Sequence, residues 1–276
     1  MTFLEGLLAF LDRKMETPAL YGWFHILFLA LVIVATFAAI RIFKNKDERS
    51  VSRMVTVVWI VLVVLELYKQ INYTFSYEGG ITSDYQWYAF PYQFCSTPLY
   101  VLPFIAFCRD GKLRDTAIAF MASFSLFAGL AVMLYPGDVF IETIGINIQT
   151  MVHHGSQVVL GIFFGVRYRE RLNKLFFARG IIMYACVLAI ALIMNVVVYH
   201  AFAANAIDET FNMFYISPYF DCTLPILSMI YPAVPYPVFL AIYIVGFSIA
   251  ALAVISIVYG ITKGVLKIYA RSRKSA

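Results

Sequence analysis

The chain reads as an all-α polytopic membrane protein, a bundle of seven transmembrane helices with its N-terminus outside and its C-terminus cytoplasmic. Two observations predict this. Seven stretches stay apolar over about the 20 residues that a helix needs to cross a bilayer: Tyr21–Phe43, Arg53–Tyr73, Pro91–Cys108, Leu113–Tyr135, Ile146–Val166, Phe176–Phe202 and Pro235–Lys263. Lysine and arginine gather in four clusters in alternate gaps between these stretches: Arg41, Lys44, Lys46, Arg49 and Arg53; Arg109, Lys112 and Arg114; Arg167, Arg169, Arg171, Lys174 and Arg179; and Lys263, Lys267, Arg271, Arg273 and Lys274. The intervening gaps, roughly 72–90, 136–146 and 201–235, contain neither residue. Such alternation is the positive-inside pattern that orients helical membrane proteins.

Composition agrees: 62% of residues are hydrophobic, 17% aromatic and only 13% charged, far from the soluble balance. The net charge of +5 is the sum of the loop clusters, which can meet anionic lipid headgroups. It is not a nucleic-acid footprint, and no nucleic-acid partner is expected. The apolar runs are continuous and lack a period of two, which argues against a β-barrel.

Taken in order, residues 1–15 carry Glu5 and no basic leader, so they do not read as a secretory signal. Phe3, Leu4, Leu7, Leu8 and Leu11 recur at helical spacing, which predicts an amphipathic helix lying on the outer surface. The connections between spans are too short for a further domain, so residues 1–276 form one membrane domain. The segment 204–235 is rich in Tyr, Phe and Pro. Proline opposes a regular helix there, and irregular backbone at membrane depth needs protein or a wet cavity around it. The segment is expected to cap the outer end, or to lie there as an interfacial aromatic loop. Gly161 and Gly165 are spaced as a small-xxx-small pair, which packs helices within one bundle or joins two copies as a homodimer.

Polar side chains inside spans are costly and mark candidate sites. Counted from the outer ends, His25, Glu66, Lys69, Gln93, Cys95, Ser96, Thr97, Gln149, His153, His154, Gln157, Asn195 and His200 all fall in the outer halves. The inner halves are almost purely apolar. A polar cavity opening outward or to the outer leaflet would produce this pattern. Each residue also has a bland reading: Glu66 and Lys69 can pair at i,i+3, a buried histidine can bond a carbonyl, and Asn195 can glue helices.

Cys95 is the candidate nucleophile. Pro91 suits the first position of a helix, which would place Cys95 near unpaired N–H groups that favour a thiolate. A base is available at similar depth in His154 or His153. The competing reading is a Cys95–Cys222 disulfide. No metal site or cofactor is expected. There is no H-E-x-x-H, G-x-S-x-G, paired C-x-x-C or glycine-rich phosphate loop, and adjacent histidines diverge by about 100° on a helix. The last span has no lysine before Lys263, which argues against a retinal Schiff base.

Four segments carry a family resemblance: YGWFHILFL at Tyr21–Leu29, FPYQFCSTPLYVLPF at Phe90–Phe104, QTMVHHGS at Gln149–Ser156, and Asn195 with the aromatic loop Asn212–Pro237. With these the chain resembles the YwaF-type bacterial integral membrane proteins and their eukaryotic relative, transmembrane protein 164. The resemblance implies an acyltransferase acting on phospholipid acyl chains, with an essential cysteine and histidine. Carried over, these are Cys95 and His154, the histidine directly before Gly155. The doubled His153–His154 departs from the pattern, and the loop Ala203–Thr210 has no counterpart.

The enzyme reading gives Cys95 as nucleophile and His154 as base, with Gln93 or Ser96 steadying the oxyanion. His25, Glu66, Lys69, His153 and Asn195 would bind substrate or position the base. Phospholipids or lysophospholipids would be the partners. The other reading is a non-catalytic lipid or solute binder or transporter, with Lys69 on a phosphate and Glu66 on an amine. It lacks polar residues for a path through the inner half.

Overall fold

The computed structural model describes residues 2–272 except Glu78 and Asp138. Arg273 and Lys274 of the fourth basic cluster, and the side chain of Arg271, lie outside the described residues, as does Met1 of the N-terminal helix segment.

The fold is all-α apart from one small hairpin, Phe75–Ser76 paired with Thr82–Ser83. Its helices are α1 Phe3–Leu11, α2 Trp23–Phe43, α3 Glu48–Asn72, α4 Pro98–Phe107, α5 Lys112–Leu134, α6 Ile144–Arg167, α7 Lys174–Ala204, α8 Leu227–Ile230 and α9 Tyr236–Ser272. Five of them, α2, α3, α5, α7 and α9, are long and apolar enough to cross a membrane. The N-terminal helix forms as its spacing predicts. A capping box between Thr2 and Glu5 starts it, and none of its residues is buried.

The third apolar stretch differs from expectation. Pro91–Cys108 is not one helix but a 3₁₀ turn at Phe94–Ser96 followed by the ten-residue α4. The cause is Pro98. A helix running on from Pro91 would lose the N–H at Pro98 and clash with a carbonyl one turn back. At the first position of α4 the same proline costs nothing. At about 1.5 Å per residue, α4 reaches only about half the hydrocarbon thickness. Cys95 therefore sits ahead of α4, not in the first turn of a helix begun by Pro91.

The central element is α6. Its 24 residues are long enough to span, yet it carries Asn147, Gln149, Thr150, His153, His154 and Gln157, all buried. The other helices shield these groups by wrapping it, with α2, α3, α5 and α9 against its faces. Two glycines permit the closest approach. A Cβ at Gly129 of α5 would stand 2.8 Å from the His154 carbonyl oxygen. One at Gly161 would stand 2.6 Å from Leu126 Cβ and 2.9 Å from the Met121 carbonyl, beside a π-helical turn at Met121–Ser125. Gly165 faces Ile255 and Val258 of α9. Gly161 and Gly165 thus serve packing within this chain.

At one end of the bundle the basic loops are tied together by carboxylates. Glu48 accepts from Arg114 (2.9 Å), Arg167 (2.8 Å) and the Tyr168 hydroxyl (2.7 Å). Asp115 accepts from Arg171 (3.2 Å) and Arg179 (2.8 Å). At the other end, the Tyr68 hydroxyl donates to the Leu11 carbonyl (2.6 Å), and Asp12 accepts from Thr143 (3.0 Å), fastening α1 to the entry of α6.

Gly161→Ala is expected to destabilise the fold by about 1–3 kcal/mol, because backbone and a Cβ block the added methyl. Gly246, with nothing within 4 Å of an added Cβ, should tolerate alanine or gain up to about 1 kcal/mol. Thermal unfolding in detergent separates the two; equal shifts would contradict the close α5–α6 packing.

Candidate functional site

The site is built on one stripe of α6. Gln149, His153 and Gln157 recur every fourth residue and so share a face. His153 lies fourteen residues before Arg167, about 20 Å along the helix from the basic end.

Cys95 meets this stripe through its backbone. Its carbonyl accepts from His153 Nε2 (2.9 Å) and Gln157 Nε2 (2.8 Å). That carbonyl is free because a 3₁₀ turn would pair it with the N–H three residues on, and Pro98 has none. The Cys95 side chain is partly buried. All four cysteines, Cys95, Cys108, Cys186 and Cys222, are free, so the alternative Cys95–Cys222 disulfide is not formed.

These bonds fix the histidine tautomers. A carbonyl can only accept, so His153 carries its proton on Nε2. The His154 ring bonds the Thr150 carbonyl through Nδ1 (2.7 Å), so its proton is on Nδ1. The remaining nitrogens, His153 Nδ1 and His154 Nε2, are buried and have no partner. Each is a buried lone pair that no protein donor meets. The ring centroids are 5.7 Å apart, and both histidines are buried although they point about 100° apart.

The charged pair stands beside them. Glu66, buried on α3, accepts from Lys69 (2.9 Å), Gln70 (2.7 Å) and Gln149 of α6 (3.4 Å). Gln70 is held in turn by the Tyr85 hydroxyl (2.7 Å) and donates to the Ala89 carbonyl (3.0 Å). Lys69 is within electrostatic reach of the Cys95 thiol and of both histidines, and Glu66 of the thiol. Glu66, Lys69, Cys95, Gln149, His153 and His154 thus form one neighbourhood, as their shared depth suggests. Ser96 is buried beside Cys95.

Two expected site residues hold the cap. The Asn195 amide donates to the Met213 carbonyl (2.9 Å) and accepts from the Met213 N–H (2.7 Å). Gln93 donates to the Asn212 carbonyl (3.0 Å) and accepts from the Phe214 N–H (2.8 Å). Both amides are thereby occupied. They stabilise an unusual backbone: Phe214 and Tyr215 adopt φ of 60° and 57°, the left-handed region that disfavours side chains. Such strain costs about 1–3 kcal/mol per residue and persists only where surroundings enforce it. Here it inserts Phe214, fully buried, against Phe94 (5.4 Å between ring centroids) and Tyr92 (6.0 Å), next to Cys95. Phe211, Met213 and Ile216 are buried with it, so this part of segment 204–235 plugs the bundle.

His25 belongs elsewhere. Its Nδ1 accepts from the Tyr21 N–H (3.0 Å) and its Nε2 donates to the Met133 carbonyl (2.8 Å), which ties α2 to the end of α5. No ring nitrogen remains for a substrate. Conversely, sequence reasoning placed Gln157 by depth alone, with no partner, and gave no role to Gln70 or Phe214. The four-residue spacing from His153 could have found Gln157. Nothing local announces the left-handed backbone at Phe214. Among the described residues, no three His, Cys, Asp or Glu side chains converge as metal ligands.

A family model described as the TMEM164 family matches residues 20–259. No curated protein and no solved structure matches the chain.

Replacing Asn195 with Leu leaves the Met213 N–H and carbonyl unpaired in the interior, at about 1–3 kcal/mol for each. The variant is expected to fold with a loosened cap, seen as faster proteolysis within 204–235 than in wild type. Unchanged proteolysis would show that Gln93 alone holds the loop.

Proposed function

Since the chain belongs to the TMEM164 family, we propose that it is a membrane-embedded acyltransferase which moves an acyl chain between phospholipid and lysophospholipid through a Cys95 thioester. In this reading the bundle has seven helices, with α4 and α6 completing the five long apolar ones. The N-terminus lies outside, the C-terminus in the cytoplasm, and the protein resides in the cell membrane.

The observation that supports the reading is the pair of bare imidazole lone pairs on adjacent residues of α6, one of whose rings, that of His153, bonds the Cys95 carbonyl. A buried lone pair without a donor is a ready acceptor for a proton, and a thiol becomes nucleophilic when a base takes its proton. We assign His154 Nε2 as that base. His153, whose proton is committed to the Cys95 carbonyl, positions the cysteine.

The steps balance without a cofactor. His154 takes the Cys95 proton while sulfur attacks the ester carbonyl of a phospholipid. The C–O bond breaks, the departing lysolipid oxygen takes the proton from His154, and an acyl thioester remains on Cys95. A lysophospholipid hydroxyl then gives its proton to His154 and attacks the thioester; the C–S bond breaks and the proton returns to sulfur. With water in place of the hydroxyl, the same steps hydrolyse the lipid. Ser96, next in sequence to Cys95 and itself buried, is the residue to steady the oxyanion, a role that Gln93 gives up to the loop it holds. The Lys69–Glu66 pair offers a cation for a phosphate and a carboxylate for an amine. That pairing also favours the second reading, a lipid binder without turnover.

The two histidines can be separated. His153→Gln keeps an N–H for the Cys95 carbonyl and should retain most lysolipid acylation in reconstituted vesicles. His154→Gln should lose about 10²–10⁴-fold, the usual worth of a general base. The reverse order would move the base to His153, and no acyl transfer by wild type would leave the binder.

Orientation has its own test. An impermeant maleimide applied to intact cells should label a cysteine placed at Asp84 and not one placed at Asn45. The opposite pattern would put the Cys95 end of the bundle on the cytoplasmic side.

A further inference from the structure

At the basic end of the bundle, remote from Cys95, two cavities adjoin where α6 passes into α7. The first, about 230 Å³, is lined by charged and apolar groups together, with Asp115, Tyr168, Glu170, Arg171 and Arg179 in its walls. The second, about 370 Å³, is an apolar trough between α7 and α9, with Phe177, Ile181, Leu252 and Ile255 along it and Lys174 on its wall. Asn173 and Phe176 line both, so the chamber opens beside the trough. Together they reach the size range of ligand clefts, about 300–1,000 Å³.

Two arginines and two carboxylates line the chamber, and Lys174 on the trough wall leaves the composite cavity with a net positive charge. Arg171 and Arg179 each engage Asp115 through Nη1 alone. An arginine has five N–H donors, so most of both forks stay unused by protein. The Arg171 guanidinium lies over the Tyr168 ring, 5.1 Å from its centroid. Glu170, which also lines the chamber, pairs with Arg169 (3.1 Å) and is exposed to solvent screening. Lys174 adds a further positive charge beside the trough.

We propose that this composite cavity binds one acidic glycerophospholipid, its phosphate on Arg171 and Arg179 and one acyl chain in the α7–α9 trough. Three features select this class. The forked guanidinium groups match phosphate oxygens geometrically. The trough is apolar and lies among exposed aliphatic side chains such as Leu175 and Ile182, as a lipid-facing groove requires. The chamber sits in the basic loops, the level at which headgroups meet such proteins. A zwitterionic lipid would bring a cationic headgroup among the arginines, and a free anion would leave the trough empty. The site does not depend on chemistry at Cys95, because it lies at the opposite end of α6.

The test is lipid retention by the full chain, measured by native mass spectrometry after exchange with phosphatidylglycerol or phosphatidylcholine of identical chains. Wild type is expected to retain phosphatidylglycerol roughly thirtyfold better, in line with the usual worth of two basic residues near a membrane surface. Arg171→Gln combined with Arg179→Gln should erase that preference. Ala178→Trp, an exposed position on the trough, should lower retention of phosphatidylglycerol without altering the binding of soluble glycerol phosphate. An unchanged preference in the double arginine variant would overturn the proposal. So would glycerol phosphate competing fully while Ala178→Trp has no effect, which marks a free-anion site. Should the arginine variant not fold, the Ala178→Trp comparison decides alone.

Discussion

The Cys95 carbonyl is the point on which the site depends. Pro98 deprives it of a backbone partner, and His153 and Gln157 of α6 supply two. A buried carbonyl left unpaired would cost about 1–3 kcal/mol. The pair of bonds therefore stabilises the 3₁₀ turn, joins the segment before α4 to the central helix, and sets the His153 tautomer. A proline that ends one helix thus organises a second.

The same constraint runs through the bundle, because a bilayer offers no water to unpaired polar groups. The polar residues of α6 are tolerated only because α2, α3, α5 and α9 cover them, and the glycines at 129 and 161 let α5 come close enough to do so. Glu66 is satisfied by three donors on two helices. The cap is satisfied by Gln93 and Asn195, which hold Phe214 and Tyr215 in left-handed backbone. On α6 two unpartnered groups break this economy, His153 Nδ1 and His154 Nε2, and the His153 ring also bonds the Cys95 carbonyl. Unsatisfied buried atoms elsewhere are an arginine nitrogen on each of Arg114 and Arg167, within the basic-end network, and the hydroxyls of Tyr184 and Tyr243 among stacked aromatic rings.

Much of this was legible in the chain. Apolar length located the helices, since α2, α3, α5, α6, α7 and α9 each fall on an expected span. Depth counting brought together Glu66, Lys69, Cys95, His153 and His154, because residues that share a level and face the bundle interior can meet. What failed was direction. Depth does not say which way an amide points: Gln93 and Asn195 share the level of the cluster yet bond the backbone of residues 212–214, and His25 shares it yet bonds Met133. The break at Pro98 was written in the sequence, yet three prolines in one apolar stretch are also compatible with a kinked span. The left-handed backbone at Phe214 depends on partners more than a hundred residues away in Gln93, and no local signal carries such a bond.

The central claim is that Cys95 bears an acyl group in turn with a buried histidine. Acid-quenched wild-type protein, taken after incubation with phosphatidylcholine vesicles and weighed intact, measures it directly. The account predicts a mass increase of one acyl chain, mapped to Cys95 and released on adding lysophospholipid. Undiminished acyl transfer with Cys95 unmodified, or an acyl group mapped to another residue, would contradict it.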